Sequence, residues 1–112
     1  MSLNAEPFEL IKAGKKTIEV RLYDEKRKKV RPGDYIIFSK LPNKTVHIKV
    51  EVIGLSIFKS FKDLFSNLDK YRFGHNENLT IEDQIAKQRI HYSVEEEQAN
   101  GVVGIHIKLH AQ

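Results

Sequence analysis

The segment Gly14-Lys15-Lys16-Thr17-Ile18-Glu19-Val20-Arg21 gathers two lysines, a threonine, a glutamate and an arginine within eight residues. Ammonium and guanidinium groups hold phosphate or carbonyl oxygens, and a carboxylate among them accepts from a base amine or orients the arginine. Charge packed where a strand begins costs desolvation energy unless water or a polar ligand satisfies it. A polyanion or a nucleotide is the ligand type this set fits best. Lys15, Lys16, Thr17, Glu19 and Arg21 are therefore candidate ligand-binding residues. Of the aromatics Tyr71, Phe73 and Tyr92, which could stack on bases, Tyr92 is the best placed for a cleft wall.

Those side chains are positioned by local rules. Phe8 and Ile11 mark a helix face, Pro7 suits the first helical position, and Gly14 suits a left-handed C-terminal cap. Ile18, Val20 and Leu22 then alternate with Thr17, Glu19 and Arg21, so the apolar set faces a core and the charged set faces solvent or a cleft. Lys16 falls on the apolar side by parity but sits at the strand's mouth and can reach out. Glu19 and Arg21 lie on one face. They form either an ion pair on an exposed face, worth at most about 1 kcal/mol, or, with Lys15 and Lys16, a ligand site.

Further along, the charged connection Asp24 to Arg31 ends in the turn residues Pro32-Gly33. Five of the six residues from Lys26 to Arg31 are basic, which reads as a solvated loop or a phosphate-tracking edge. Tyr35 to Phe38 is a continuous apolar run, short enough for a buried strand. Val46 to Val52 alternates as its antiparallel neighbour across Pro42-Asn43-Lys44. After Gly54 the period becomes helical, with Ser60 capping a helix through Phe61, Leu64, Phe65 and Leu68 and Thr80 capping one through Ile81, Ile85 and Ile90. Asp69 to Asn78 between them reads as a lid. Ser93 to Glu96 fits a capping box, Asn100-Gly101 closes that helix, and Val103, Ile105, Ile107 and Leu109 alternate in a last strand. Met1-Ser2-Leu3 reads as a start scar or a clipped first strand. Four strands with inserted helices imply an α+β domain whose mostly antiparallel sheet curls to bury its face.

The 112 residues are the size of one domain, 1–112, with an ordinary 40% apolar and 30% charged share. No stretch is long and apolar enough to cross a bilayer, and no secretory signal is visible. Without cysteine there is no disulfide or thiolate nucleophile, and a reducing, cytoplasmic location is expected. The net charge of +4 favours anionic partners. The five histidines show no metal spacing and read as solvent-facing, so neither metal nor cofactor is expected. No nucleophile elbow, phosphate loop or dinucleotide fingerprint is present.

Phe8 and Ile11 on a helix, Gly14-x-Lys16-x-x-Glu19-x-Arg21, Gly33-Asp34 before an apolar strand, and the closing Gly101-Val102-Val103-Gly104-Ile105 together resemble the ASCH domain family of the PUA-like superfamily, from about Glu6 to Leu109. The resemblance implies a five- or six-stranded PUA-like mixed, mostly antiparallel β-barrel with inserted helices. It also implies a cleft lined by the Gly-x-Lys-x-x-Glu-x-Arg segment and a role in binding RNA or a nucleotide. Family members carry an additional strand before the first helix, where this chain has Met1-Ser2-Leu3. One branch of the family is an amidohydrolase acting on N4-acetylcytidine through a lysine, a threonine and a glutamate. Lys16 matches the lysine and Glu77 falls near the glutamate, whereas Glu19 stands where the threonine belongs. Thr17 adjoins the lysine and is expected to point with Glu19. A carboxylate is a poor substitute for a hydroxyl nucleophile, so the binding role leads, with Lys16, Glu19 and Glu77 as catalytic candidates in the alternative.

Overall fold

The computed structural model describes residues 1–110. Among them run β1 (Ser2–Leu3), α1 (Ala5–Lys12), β2 (Ile18–Leu22), β3 (Tyr35–Lys40), β4 (His47–Phe58), α2 (Phe61–Asn67), α3 (Ile81–Arg89), α4 (Val94–Asn100) and β5 (Val102–Leu109), with 3-10 turns at Arg27–Lys29 and Lys70–Phe73. The five strands form one sheet in the order β1-β3-β4-β5-β2, antiparallel except for the parallel β1–β3 pair. The sheet curls far enough for a side chain to bridge its two edges: Arg21 on β2 donates from Nη2 to the Ser2 carbonyl on β1 at 3.2 Å. This is the expected mixed α+β, PUA-like architecture, a half-barrel rather than a flat sheet.

Strand parity divides the interior into two layers. In the β2–β5 register Glu19 lies opposite Ile105 and Arg21 opposite Val103, while Val20 lies opposite Gly104 and Leu22 opposite Val102. The Ile105 face is concave and is filled by Phe8 and Ile11 of α1 together with Phe38 and Val50. The opposite face buries Ile18, Val20, Leu22 and Val102 under Phe61, Leu64, Phe65 and Phe73. Phe8, Phe38 and Phe61 have no exposure at all, and burying each such ring contributes about 2–3 kcal/mol. Because both faces of β5 are covered, Val102, Val103 and Ile105 are all buried; alternation holds only from Ile105 to Lys108, since Leu109, expected on the buried face, is exposed.

The helix starts follow their local signals. Ser60 accepts from the Asp63 amide at 3.1 Å, and Thr80 with Asp83 and Ser93 with Glu96 form reciprocal capping boxes. Several expectations are corrected. Of the two readings of Met1-Ser2-Leu3, the structure shows a strand: Ser2 and Leu3 pair with Ser39 and Lys40, and Leu3 is 6% exposed. Pro7 is the third helical residue, still within the turn whose amides have no intrahelical acceptor. The run Tyr35 to Phe38 is not buried on both sides, since Tyr35 and Ile37 are exposed while Ile36 and Phe38 are buried. No helical period begins at Gly54, because β4 continues to Phe58 through a bulge between Val52 and Gly54. Asp69 to Asn78 is anchored by the capped 3-10 turn and by the buried Phe73.

Candidate functional site

The site begins where α1 stops. Gly14 adopts φ 75°, a left-handed cap that an L side chain would strain. The amides of Lys15 and Lys16 both donate to the Leu10 carbonyl, at 2.9 and 3.1 Å. The Thr17 amide donates to the Arg72 carbonyl at 2.8 Å, so the segment is pinned at both ends before β2 starts at Ile18.

Glu19 enters the concave interior beside Ile105 and is only 4% exposed. An isolated carboxylate there would carry a desolvation penalty of several kcal/mol. Both its oxygens are engaged. Lys16 Nζ lies 2.9 Å from Oε1, and Arg21 reaches Oε2 with Nη2 at 2.8 Å and donates to it from Nε at 3.0 Å. Burial alone would push the Glu19 carboxyl up, but the Lys16 ammonium and the Arg21 guanidinium outweigh it and hold it below the usual carboxylate range. Two cations therefore surround one anion.

The cluster forms the floor of an open cleft of about 590 Å³. One wall is built from β1 and the start of α1, with Leu3, Pro7 and Leu10. The other comes from the segment after the 3-10 turn and from the end of α3, with His75, Lys87 and Tyr92. The Tyr92 ring stacks on Phe61 at a centroid distance of 6.0 Å, which fixes its orientation. His75 Nδ1 sits 3.0 Å from Oε1 of the buried Gln84, and burial with nearby Lys87 and Lys16 holds its pKa below the ordinary histidine value against that hydrogen bond. Gly74 passes so close to Leu10 and Lys16 that a Cβ there would meet Leu10 Cδ1 at 2.9 Å.

Lys16, Glu19, Arg21 and Tyr92 are thus brought together. Lys15 is exposed and lines no part of the cleft. Thr17 precedes the strand and does not line the cleft. Its hydroxyl accepts from Arg72 Nε at 3.4 Å and belongs to an adjoining depression. The Glu77 side chain is exposed and does not line the cleft; its backbone carbonyl accepts from Lys70 Nζ at 2.6 Å. Tyr71 is exposed and Phe73 is core. The basic run near Arg27 forms a solvated connection tied back to Asp24. His106, expected in solvent, bonds Ser56 Oγ at 2.8 Å and Arg72 Nη2 at 3.1 Å. Among the described residues no cluster of histidine, aspartate and glutamate could hold a metal ion, and no helix is long and apolar enough to cross a membrane. His75, Gln84 and the Ser2 carbonyl gave no signal in the sequence, because their partners are distant in the chain and meet them only in the folded structure.

Two solved structures resemble the chain over nearly its full length. The crystal structure of hypothetical protein PH0355 matches with a TM-score of 0.85 and 40% identity, covering 98% of this chain and 96% of that one. The solution NMR structure of protein PF0455 from Pyrococcus furiosus matches with a TM-score of 0.66 and 36% identity, covering 97% of each. No curated protein matches. The curled sheet, the helix inside it and the family model that matches residues 1–110 agree: the chain belongs to the ASCH domain family.

Proposed function

We propose that the chain binds RNA or a nucleotide-like ligand in the cleft above Lys16, Glu19 and Arg21. The observation that carries this reading is the buried Glu19 flanked by two cations at the floor of an open cavity. A position opposite Ile105 that served packing alone would hold an apolar side chain, since a carboxylate there must be desolvated and matched. The cavity falls within the ordinary range for small-molecule sites. Lys16 and Arg21 take a phosphate or carbonyl oxygen, Glu19 fixes their geometry, and the exposed part of Tyr92 gives a base a stacking surface.

An amidohydrolase acting on N4-acetylcytidine-like nucleosides is supported less well. Lys16 and Glu19 are in contact, but the Thr17 hydroxyl and the Glu77 carboxylate lie outside the cleft. That leaves no threonine hydroxyl in the cleft for nucleophilic attack.

Equilibrium binding of the four nucleoside monophosphates and of short single-stranded RNA tests the proposal. Lys16→Ala should weaken binding about tenfold, equivalent to roughly 1.4 kcal/mol. Equal affinity in the native and variant proteins would refute it. Incubation with N4-acetylcytidine supplies the other arm, and cytidine release that depends on Lys16 would replace binding with catalysis.

A further inference from the structure

Lys16 lines two cavities. Besides the cleft, it borders an adjoining depression of about 390 Å³. The floor of that depression is apolar, made by Ile11, Ile53 and Ile107, and its rim carries Thr17, Arg72 and Lys108. No aspartate or glutamate lines it among the described residues. Ile53 is 52% exposed because the β-bulge turns this extra residue out of the β4 ladder. An exposed isoleucine ringed by three cations and a hydroxyl is an unusual surface for packing alone, and it matches a flat base flanked by phosphates.

Arg72 on the rim is held in place without being neutralised. Arg72 is oriented by the Thr17 hydroxyl and by His106 Nδ1, and makes no ion pair among the described residues. An arginine cannot accept a hydrogen bond, so His106 Nδ1 is the acceptor and its Nε2–H donates to Ser56 Oγ. In that tautomer the imidazole leaves the full Arg72 charge facing outward. Lys108 is exposed and likewise unpaired among the described residues. A chain leaving the cleft over Lys16 would meet Arg72 and Lys108 along a depression whose own lining carries no carboxylate, Glu51 lying outside it across the strand from Lys108.

We infer that this depression is a second nucleotide subsite, so that the ligand is a single-stranded oligonucleotide rather than a free nucleoside or mononucleotide. This rests on the cleft being the first subsite. Lys16 contacts the phosphate between the two nucleotides, the second base lies on the exposed Ile53, and Arg72 and Lys108 hold the next phosphate.

Fluorescein-labelled hexauridylate and hexaadenylate, compared with the four nucleoside monophosphates at several salt concentrations, test it. The hexamers should bind at least about tenfold tighter than any monophosphate, and the Arg72→Gln/Lys108→Gln double variant should lose most of that gain. Its slope of log affinity against log salt should fall by about 0.7, as for one lost phosphate contact on a single strand. Ile53→Glu, at an exposed position that leaves the core intact, should weaken the hexamers without affecting the monophosphates; a thermal melt checks its fold. Hexamers that bind no tighter than monophosphates, or a double variant with unchanged hexamer affinity, would overturn the second subsite and leave the cleft standing. Hexamer binding that survives Lys16→Ala, or no binding by any probe, would overturn the cleft reading as well.

Discussion

Two buried carboxylates, Glu19 and Glu97, face different surroundings with nearly the same exposure, 4% and 5%. Glu97 on α4 accepts from the Phe61 amide at the start of α2 at 2.6 Å and from Arg89 at the end of α3. The Arg89 guanidinium also lies 5.6 Å from the centroid of the Phe61 ring. One anion meets one cation and one helix-terminal amide, and neither Glu97 nor Arg89 lines the cleft. Its charge is matched within the fold, where it ties three helices together. Glu19 meets two cations, and the surplus positive charge faces an open cavity. Charge stoichiometry and access, rather than burial, separate a structural carboxylate from a candidate site.

The largest expected effect tests the structural side. Glu97→Ala leaves the Phe61 amide and Arg89 without their acceptor, and should cost about 3 kcal/mol in a denaturant melt with ligand affinity unchanged. An affinity loss in a folded Glu97→Ala protein would break the distinction. Arg21→Ala should come next, at about 2 kcal/mol, because it half-pairs Glu19 and also releases the Ser2 carbonyl that joins the two sheet edges. Unlike Glu97→Ala, it should also abolish most ligand binding. Were the Glu19 pairings a surface feature, Lys16→Ala would leave the melting temperature untouched; their burial predicts a loss of about 1 kcal/mol alongside its affinity loss. Glu19→Gln should lower affinity only about two- to fivefold in a binder, whereas near-complete loss of turnover would mark a general base.

The smallest effect is in pH. The lowered pKa of Glu19 means its stabilisation is complete above the unfolded carboxylate value, near 4.5, and is lost as pH falls through its own lower value. His75 and His106 are also held below 6.5, chiefly by burial, so between their folded values and 6.5 the unfolded chain binds more protons. Stability should therefore decline gently as pH falls through 6.5, above the carboxylate step near 4.5, and thermal melts at half-unit intervals would show it. A flat profile over that range would contradict the histidine environments, and Glu19→Gln should remove part of the loss below pH 4.5.

Much of the site's frame was legible in the sequence because it obeys short-range rules. Gly14 ends a helix, Ile18, Val20 and Leu22 alternate, and Ser60, Thr80 and Ser93 cap helices, each through contacts within four residues. The parts that escaped depend on distant partners. A two-residue strand such as Ser2–Leu3 has no period to detect and exists only because β3 offers it an edge. The bulge at Ile53 breaks the alternation of β4 where the strand in fact continues. Thr17 follows the parity of Glu19 in sequence, yet its amide bonds to Arg72, 55 residues away, which turns it out of the cleft.

The sequence by itself determined which residues carry the charge, that Glu19 and Arg21 share a face, and which helices and most strands position them, since capping and alternation are written in neighbouring side chains. Only the tertiary structure decided that this face is the concave interior of a curled sheet. Burial and cavities arise where segments far apart in the chain converge, here β1 against β2 and the end of α3 against Lys16. That convergence turned an ordinary Lys-Glu-Arg sequence into a desolvated cluster at the floor of a cleft.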